Sequence, residues 1–363
     1  MANQAGRSNV SLAFANHSTL DALMPSATSL APLYRRLKTV GFDRGFLQRA
    51  VLPDWWDDSL AANAATRSQI ELHLAQRLGV PLAELRDASQ PLTLPGTHDV
   101  RLKRATSEAK REDIAPGMIV ARRTVGVVLP HLRDVPALPA HLAVGDLRTW
   151  ILARHRVVDL PALLDAAWAH GIAVFHFAPL PTAAKKFAGM AYYEGKRPVV
   201  ILATGYDAPP RVAFYLAHEI AHILRGHVTP GGKMLADADF EMGKEDDEER
   251  DADGDALELL TGDRAPQFPP IYGMTASRLA LAAREYERKH RVHAGTVALI
   301  YGKTAKRMPV AVAALNQMNM GTGARRLIAD ALRRRLFAEE AGLDPAAGVP
   351  AEVLEVLPVI GVA

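Results

Sequence analysis

The chain has 363 residues, enough for two or more domains, and its 49% hydrophobic and 23% charged residues are typical of a globular protein. It contains no cysteine, which excludes disulfides, thiolate metal sites and a cysteine nucleophile, so any metal must be bound by His, Asp or Glu. The formal net charge of +3 is too small to indicate a nucleic-acid partner by itself.

The start of the chain predicts neither export nor membrane insertion. Residues 1–27 are small and polar with little periodicity, and we expect a flexible tail there. They lack the basic start and the apolar stretch of a signal peptide. No apolar run approaches the ~20 residues that span a bilayer. We therefore expect a cytoplasmic protein with no membrane partner.

Residues 28–95 carry apolar residues at helical spacing and are predicted to form an N-terminal helical domain. The segment Leu78-Gly79-Val80 resembles the turn between two packed helices of helix-turn-helix repressor domains. DNA binding through these helices is one hypothesis, and docking of a protein on Trp55 or Trp56 is another. Acidic residues beside the tryptophans oppose contact with phosphates: Asp54, Asp57 and Asp58.

Two further regions are predicted outside the central part of the chain. Residues 96–140 mix Pro, Gly and charges and form a connecting segment, in which the apolar stretch 118–129 fits a helix or a strand equally well. Residues 271–363 form a C-terminal helical region. Its basic runs, 284–291 and 333–335, are interpreted as charged helix faces exposed to solvent.

Residues 141–270 are predicted to form a domain of mixed secondary structure. One helix is capped by Asp159, has Pro161 in its first turn and ends at Gly171. Three segments rich in β-branched and aromatic residues are predicted strands: 172–177, 189–193 and 199–202. Two helices complete the domain, a long one that ends near Gly226 and another over 248–260.

The long helix carries the sequence His218-Glu219-Ile220-Ala221-His222. Residues four apart lie on one face of a helix, so both imidazoles can point at one metal ion, and the intervening Glu sits beside that face. The flanking apolar residues indicate a buried helix. We therefore predict His218 and His222 as zinc ligands and Glu219 as the catalytic base. The plainer alternative is a helix with two packed histidines.

A zinc ion held by two imidazoles needs a third protein ligand. The helix predicted over 248–260 begins with many acidic residues. Asp251 and Asp255 lie one turn apart near its apolar stripe, and a carboxylate there would complete the site. Most of the other acids fit a solvated face at a helix N-terminus.

Several segments of residues 145–265 together resemble the ImmA/IrrE family of metallopeptidases. The matching segments are Gly171-Ile172, Phe187-Ala188-Gly189-Met190, Pro198-Val199-Val200-Ile201-Leu202, the stretch from Arg211 to His222, and Asp251-Ala252-Asp253 ahead of Leu259-Leu260. The resemblance implies zinc held by His218, His222 and Asp251, where the family has Glu. Because Asp is one methylene shorter, the two helices would approach by ~1.5 Å more. Glu248 and Asp255 are alternative third ligands.

These elements predict an α+β fold that is mainly helical. In it, a zincin-like catalytic domain, made of a small β-sheet and the His-Glu-x-x-His helix, is flanked by N- and C-terminal helical regions.

The predicted function is that of a zinc-dependent endopeptidase. Glu219 would take a proton from a zinc-bound water and pass it to the leaving amine, and Tyr215 or His227 would be auxiliary donors to the developing oxyanion. The resemblance implies a specific protein substrate, a DNA-binding transcription repressor or antitoxin-like regulator. One alternative is a DNA- or repressor-binding regulatory protein whose metal site is structural or inactive. Another is a zinc hydrolase of small molecules.

Overall fold

The computed structural model describes residues 29–94, 100–103, 111–180, 187–232, 234–238, 247–337 and 348–362. The flexible tail expected over 1–27 lies outside these residues. The described chain is mostly helical and contains one small mixed sheet, which confirms the predicted mainly helical α+β class. None of its helices combines the length and the apolar character needed to cross a bilayer.

Four helices form the N-terminal region, as predicted from the apolar spacing. They are α1 (Ala31–Thr39), α2 (Arg44–Ala50), α3 (Ala64–Leu78) and α4 (Leu82–Arg86). Helix α3 ends at Gly79, whose φ of 70° is left-handed, and this glycine provides the turn expected there. Trp56 packs against the main apolar core, whereas Trp55 is exposed.

The apolar stretch that fits a helix or a strand is a helix, α5 (Arg111–Val128). Its buried side chains recur every three or four residues: Ile114, Met118, Ala121, Val125 and Val128. That spacing is helical, so packing decides between the two possibilities. The segment predicted as a connection therefore contributes a helix to the main core.

A five-stranded sheet has the order β1-β5-β3-β4-β2. Its strands are β1 (Val100–Lys103), β2 (Ala173–His176), β3 (Phe187–Glu194), β4 (Arg197–Leu202) and β5 (Met234–Ala238). Strand β3 is antiparallel to β4 and β5, while β2 runs parallel to β4 and β1 parallel to β5. The three predicted strands are confirmed, and β1 and β5 are additional.

Two helices lead into the sheet, α6 (Val144–Leu152) and α7 (Leu160–Ala169). The predicted cap of α7 is confirmed, because the Asp159 carboxylate accepts a hydrogen bond of 3.0 Å from the Ala162 N–H. Gly171 follows with a φ of 82°. A Cβ atom at this position would lie 2.3 Å from the carbonyl oxygen of Pro136, so the close approach also requires glycine.

The two helices that matter most for function are α8 (Pro209–Leu224) and α9 (Asp247–Thr261). Helix α8 packs on strands β3 and β4, and α9 packs on the other side of α8. The apolar residues of α8 that are buried include Val212, Leu216 and Ile220. Because α8 is buried on both sides, its histidines lie inside the protein.

Five helices complete the chain: α10 (Ala276–His290), α11 (Ala294–Thr304), α12 (Met308–Gln317), α13 (Ala324–Leu336) and α14 (Ala351–Val356). Helices α10–α12 enclose a second, smaller apolar core. Helices α13 and α14 instead return to the main core, where Glu355 lies 3.6 Å from Arg77 of α3. The C-terminal region is thus helical, as predicted, but it is divided between two cores.

The start of α13 is held by a residue from the loop before α8. The carboxylate of Asp207 accepts hydrogen bonds of 2.9 Å each from the N–H groups of Gly323 and Arg325. These are donors that the first turn of a helix leaves without an intrahelical partner. Asp207 therefore links α8, which carries the His-Glu motif, to the C-terminal helices.

We predict that Asp207→Ala lowers the free energy of unfolding by about 2 kcal/mol, because two backbone donors of α13 lose their acceptor. Asp207→Asn should lose less, since its amide oxygen still accepts one of these bonds. Urea unfolding followed by circular dichroism measures both. The matched control is Asp330→Ala on α13, whose carboxylate pairs with Arg326 at 3.6 Å on the surface. An equal loss in the control would contradict the role given to Asp207.

Candidate metal centre

His218 and His222 meet on the buried face of α8. Their Nε2 atoms are 3.0 Å apart, and the two side chains are only 4% and 0% exposed. Four residues make slightly more than one helical turn, which places the two rings next to each other on one face of α8. The structure therefore brings together the two imidazoles that the sequence spacing predicted.

Glu249 of α9 supplies a carboxylate to the same point. Its Oε2 lies 3.4 Å from His218 Nε2 and its Oε1 lies 3.3 Å from His222 Nε2, and the side chain is 1% exposed. Burial raises the pKa of this carboxyl, but the hydrogen bonds and positive charge of the two histidines outweigh it and hold the pKa well below its usual value. Glu249 is therefore ionised and ready to bind a cation.

Asp251, the third ligand expected from the sequence, is not at this point, and that expectation is wrong. Its side chain is 49% exposed and lies 3.1 Å from Arg225 and 3.4 Å from Arg264. Two residues along a helix correspond to about 200° of rotation, so Asp251 and Glu249 face opposite sides of α9. Because the carboxylate that faces the histidines belongs to a glutamate, α8 and α9 need not approach each other by the additional distance that an aspartate would require.

The two alternative third ligands are also elsewhere. Asp255 is buried but binds Arg225 and Arg264, on a different face of α9. Glu248 precedes Glu249 by one residue, about 100° around the helix, and does not belong to the cluster of ligand atoms. The spacing of the sequence could have indicated Glu249. It lies three residues before Ala252 and seven before Ala256, so it shares the buried face of α9 with both.

The donor set fits a tetrahedral zinc ion. Ligand atoms about 2.0–2.2 Å from such an ion lie about 3.3 Å from one another. Here the two Nε2 atoms are 3.0 Å apart, and each lies 3.3–3.4 Å from a different oxygen of the Glu249 carboxylate. Among the described residues, these three are the His, Asp and Glu side chains that gather closely enough to hold a metal. Two imidazoles and one carboxylate leave a fourth position for water or substrate.

Each histidine has a second partner on its other ring nitrogen. Asp253 Oδ1 lies 3.0 Å from His218 Nδ1, and His227 Nδ1 lies 2.8 Å from His222 Nδ1. A proton on each Nδ1 leaves the Nε2 lone pair free for a metal and fixes the orientation of the ring. Asp253 and His227 therefore hold the two imidazole rings in the orientation that directs both Nε2 atoms toward the candidate metal position.

The two residues considered as oxyanion donors lie at different places. His227 is behind His222, so its position supports a ligand. The Tyr215 ring packs edge-on against Phe214, with centroids 6.3 Å apart, and the ring of Phe214 is in turn 6.3 Å from that of His218. These ring contacts do not place the Tyr215 hydroxyl relative to the three candidate ligands, and its role as a donor stays a prediction.

Glu219 lies against the backbone of strand β3. Its side chain is 2% exposed, and a Cβ atom built on Gly189 would come within 2.5 Å of Glu219 Oε1 and 3.1 Å of Glu219 Cγ. The pairing of β3 with β5 also shifts register between Phe187 and Gly189. Only glycine leaves room for this carboxylate, so Gly189 helps to position Glu219.

An ion-pair network fixes the two ligand-bearing helices relative to each other. Asp255 of α9 is 4% exposed and accepts hydrogen bonds from Arg225, three residues after His222, and from Arg264. Burial raises the pKa of Asp255, but the two guanidinium groups outweigh it and lower the pKa. The network therefore joins the end of α8 to the middle of α9, close to the metal ligands.

Comparison with known proteins gives no relatives for this chain. No protein-family model, curated protein or solved structure matches it. The assignment of a function therefore depends on the geometry of the site and on the motifs of the sequence.

We predict that Glu249→Ala lowers zinc affinity by roughly 100-fold or more, because it removes one of three protein ligands. Asp251→Ala, the matched control two residues away, should bind zinc as the unaltered chain does. Zinc content after dialysis and competition with a chromogenic chelator measure both. Loss of zinc from Asp251→Ala but not from Glu249→Ala would show that the ligand set is wrong.

Proposed function

We propose that this chain is a zinc-dependent endopeptidase. The observation that carries the proposal is the buried cluster of His218, His222 and Glu249, whose possible ligand atoms lie close enough together to hold one metal ion, with Glu219 next to His218 in sequence. Two imidazoles and one carboxylate are a donor set typical of catalytic zinc. Magnesium and calcium prefer sites made wholly of oxygen ligands.

The roles of the protein side chains follow from their positions. Zinc bound at this site would polarise the scissile carbonyl and lower the pKa of water. The carboxylate of Glu219 takes a proton from the attacking water and donates it to the nitrogen of the leaving amine. The backbone at Gly189 keeps this carboxylate in place, and Asp253 and His227 hold the imidazoles in the orientation needed for binding.

The ImmA/IrrE resemblance supplies the proposed domain type and substrate. Four of its five matching segments lie on β3, β4, α8 and α9, and the fifth, Gly171-Ile172, directly precedes β2; α8, which carries the two histidines, packs on β3, β4 and α9. This arrangement supports a zincin-like catalytic domain in which the motif helix packs on a small sheet. The substrate proposed from the resemblance is a DNA-binding repressor or antitoxin-like regulator, cut at a specific peptide bond.

One observation favours a second function, that of a regulatory protein with a structural metal. His218, His222, Glu219 and Glu249 are all at most 4% exposed. Structural zinc sites are closed, whereas catalytic sites keep a position accessible to substrate. In this second case, zinc would stabilise the α8–α9 contact and Glu219 would have no chemical task.

The two functions differ in their response to Glu219→Gln. We expect this variant to retain zinc and to lose cleavage by roughly 100-fold or more, because the amide cannot accept the proton of water. The assay co-expresses the chain with candidate repressors, chosen from the genes beside its own, and follows each repressor by mass spectrometry. Zinc binding without cleavage by the unaltered chain supports the structural metal instead. Equal cleavage by both proteins excludes Glu219 as the base.

Gly189→Ala tests the positioning of Glu219 without changing any ligand. The added methyl group collides with the Glu219 carboxylate, so we expect unchanged zinc content and a cleavage rate that falls about tenfold or more. The control is Gly145→Ala near the start of α6, where the backbone φ is not positive and an added Cβ meets no atom of the described structure within 4 Å. Full activity of Gly189→Ala would contradict the proposal that Gly189 positions the Glu219 carboxylate for catalysis.

A further inference from the structure

The small net charge of the chain conceals a strong separation of charge. Residues 274–337 contain 13 Lys and Arg but only three Asp and Glu, whereas the whole chain contains 43 and 40. The rest of the chain is therefore acidic overall. An excess of this size within one set of helices creates a positive potential that attracts polyanions.

Hydrogen bonds hold the basic end of α10 against a second basic segment, the loop between α6 and α7. Arg291, at the end of α10, donates hydrogen bonds of 2.7 and 3.0 Å to the carbonyl oxygens of Leu152 and His155, and one of 3.0 Å to that of Arg156. The end of α10 therefore packs against the loop between α6 and α7, which carries Arg154 and Arg156.

Helix α13 is linked to the same loop through a carboxylate of α7. Asp165 of α7 lies 3.5 Å from His155 and 3.9 Å from Arg334. The exposed cations of this loop, of the end of α10 that packs against it and of the linked part of α13 are here called the basic surface: Arg154, Arg156, Arg288, Lys289, Arg291 and Arg334.

Few acidic groups neutralise the basic surface. Asp165 is shared between His155 and Arg334, and Glu285 pairs with Lys289 at 2.7 Å. Within the described chain, no carboxylate forms an ion pair with the remaining four members: Arg154, Arg156, Arg288 and Arg291. The guanidinium groups of Arg154 and Arg291 donate hydrogen bonds to backbone carbonyl oxygens, which fix their position but leave their positive charge without a carboxylate partner.

We propose that the basic surface binds the sugar-phosphate backbone of a nucleic acid duplex. Five of its six cations are arginines, whose planar guanidinium groups bind phosphate oxygens in pairs. The guanidinium of Arg154 is held 4.1 Å above the ring of Trp150, which lowers the entropy cost of its binding to a phosphate.

The composition of the basic surface favours a nucleic acid over an acidic protein. Protein interfaces usually contain large apolar or aromatic anchors. Among the described residues, no large apolar side chain that is exposed lies within about five positions of a member of the basic surface along the chain. The binding is therefore expected to be electrostatic, independent of base sequence and sensitive to salt. This proposal does not depend on the protease function.

The N-terminal helices provide a matched comparison, because the sequence suggested that they bind DNA. Arg35, Lys38 and Arg49 are exposed there and lie far along the chain from the basic surface. Two triple variants of the full chain remove the same number of positive charges: Arg154→Gln/Arg156→Gln/Arg334→Gln at the basic surface and Arg35→Gln/Lys38→Gln/Arg49→Gln in the N-terminal helices.

Fluorescence anisotropy with a labelled 24-base-pair DNA duplex of arbitrary sequence, over a range of salt concentrations, tests the proposal. We expect the first variant to bind about tenfold or more weakly. The plot of log affinity against log salt concentration should become shallower, with its slope reduced in magnitude by about one for each phosphate that the variant no longer binds. The second variant should stay within about twofold of the unaltered chain. A duplex of RNA, used in parallel, distinguishes a DNA ligand from any duplex.

Three results would overturn the proposal. They are the absence of binding to either duplex at ~50 mM salt, an equal or larger loss in the N-terminal variant, and competition by polyglutamate as effective as that by unlabelled duplex. Circular dichroism and thermal unfolding of both variants show whether each is folded, and the single variant Arg156→Gln gives a second measurement if the triple variant is not.

Discussion

The close approach of α8 and α9 is the constraint on which the rest of the structure depends. It brings two imidazoles and a carboxylate together in the buried interior of the protein. Burial of an ionised carboxylate without compensation costs several kcal/mol. Here the histidines compensate Glu249, and a divalent cation at the same point would compensate it further. The sheet beneath α8, the apolar stripe of α9 and the Arg225–Asp255 pair all act to maintain this approach.

The surroundings of the site support it at increasing distances. Asp253 and His227 contact the ligand rings directly, and Gly189 makes room for Glu219. Farther away, Asp207 fixes the loop that begins α8 to the start of α13, and Arg291 fixes α10 to the end of α6. Because these links join distant parts of the chain, the candidate metal centre and the basic surface belong to one packed framework.

Much of the fold was predictable where the signal is local. The cap at Asp159, the helix end at Gly171 and three strands depend on neighbouring residues, and each is present. Strands β1 and β5 were not predicted, because Met234–Ala238 has little intrinsic β-propensity and gains its conformation by pairing with β3. The helix α5 could not be distinguished from a strand, since only packing against other elements shows which of its residues are buried.

The sequence by itself determined one half of the candidate site. The spacing of His218 and His222 and the absence of cysteine lead to a His-based metal centre on a helix, because both facts follow from local periodicity and composition. The tertiary structure decided the other half: that Glu249 and not Asp251 faces the histidines, that Asp253 and His227 support them, and that basic residues from two helices and a loop gather on one surface. The reason is that local sequence fixes which residues share a face of α9, but only its packing against α8 fixes which face turns toward the metal.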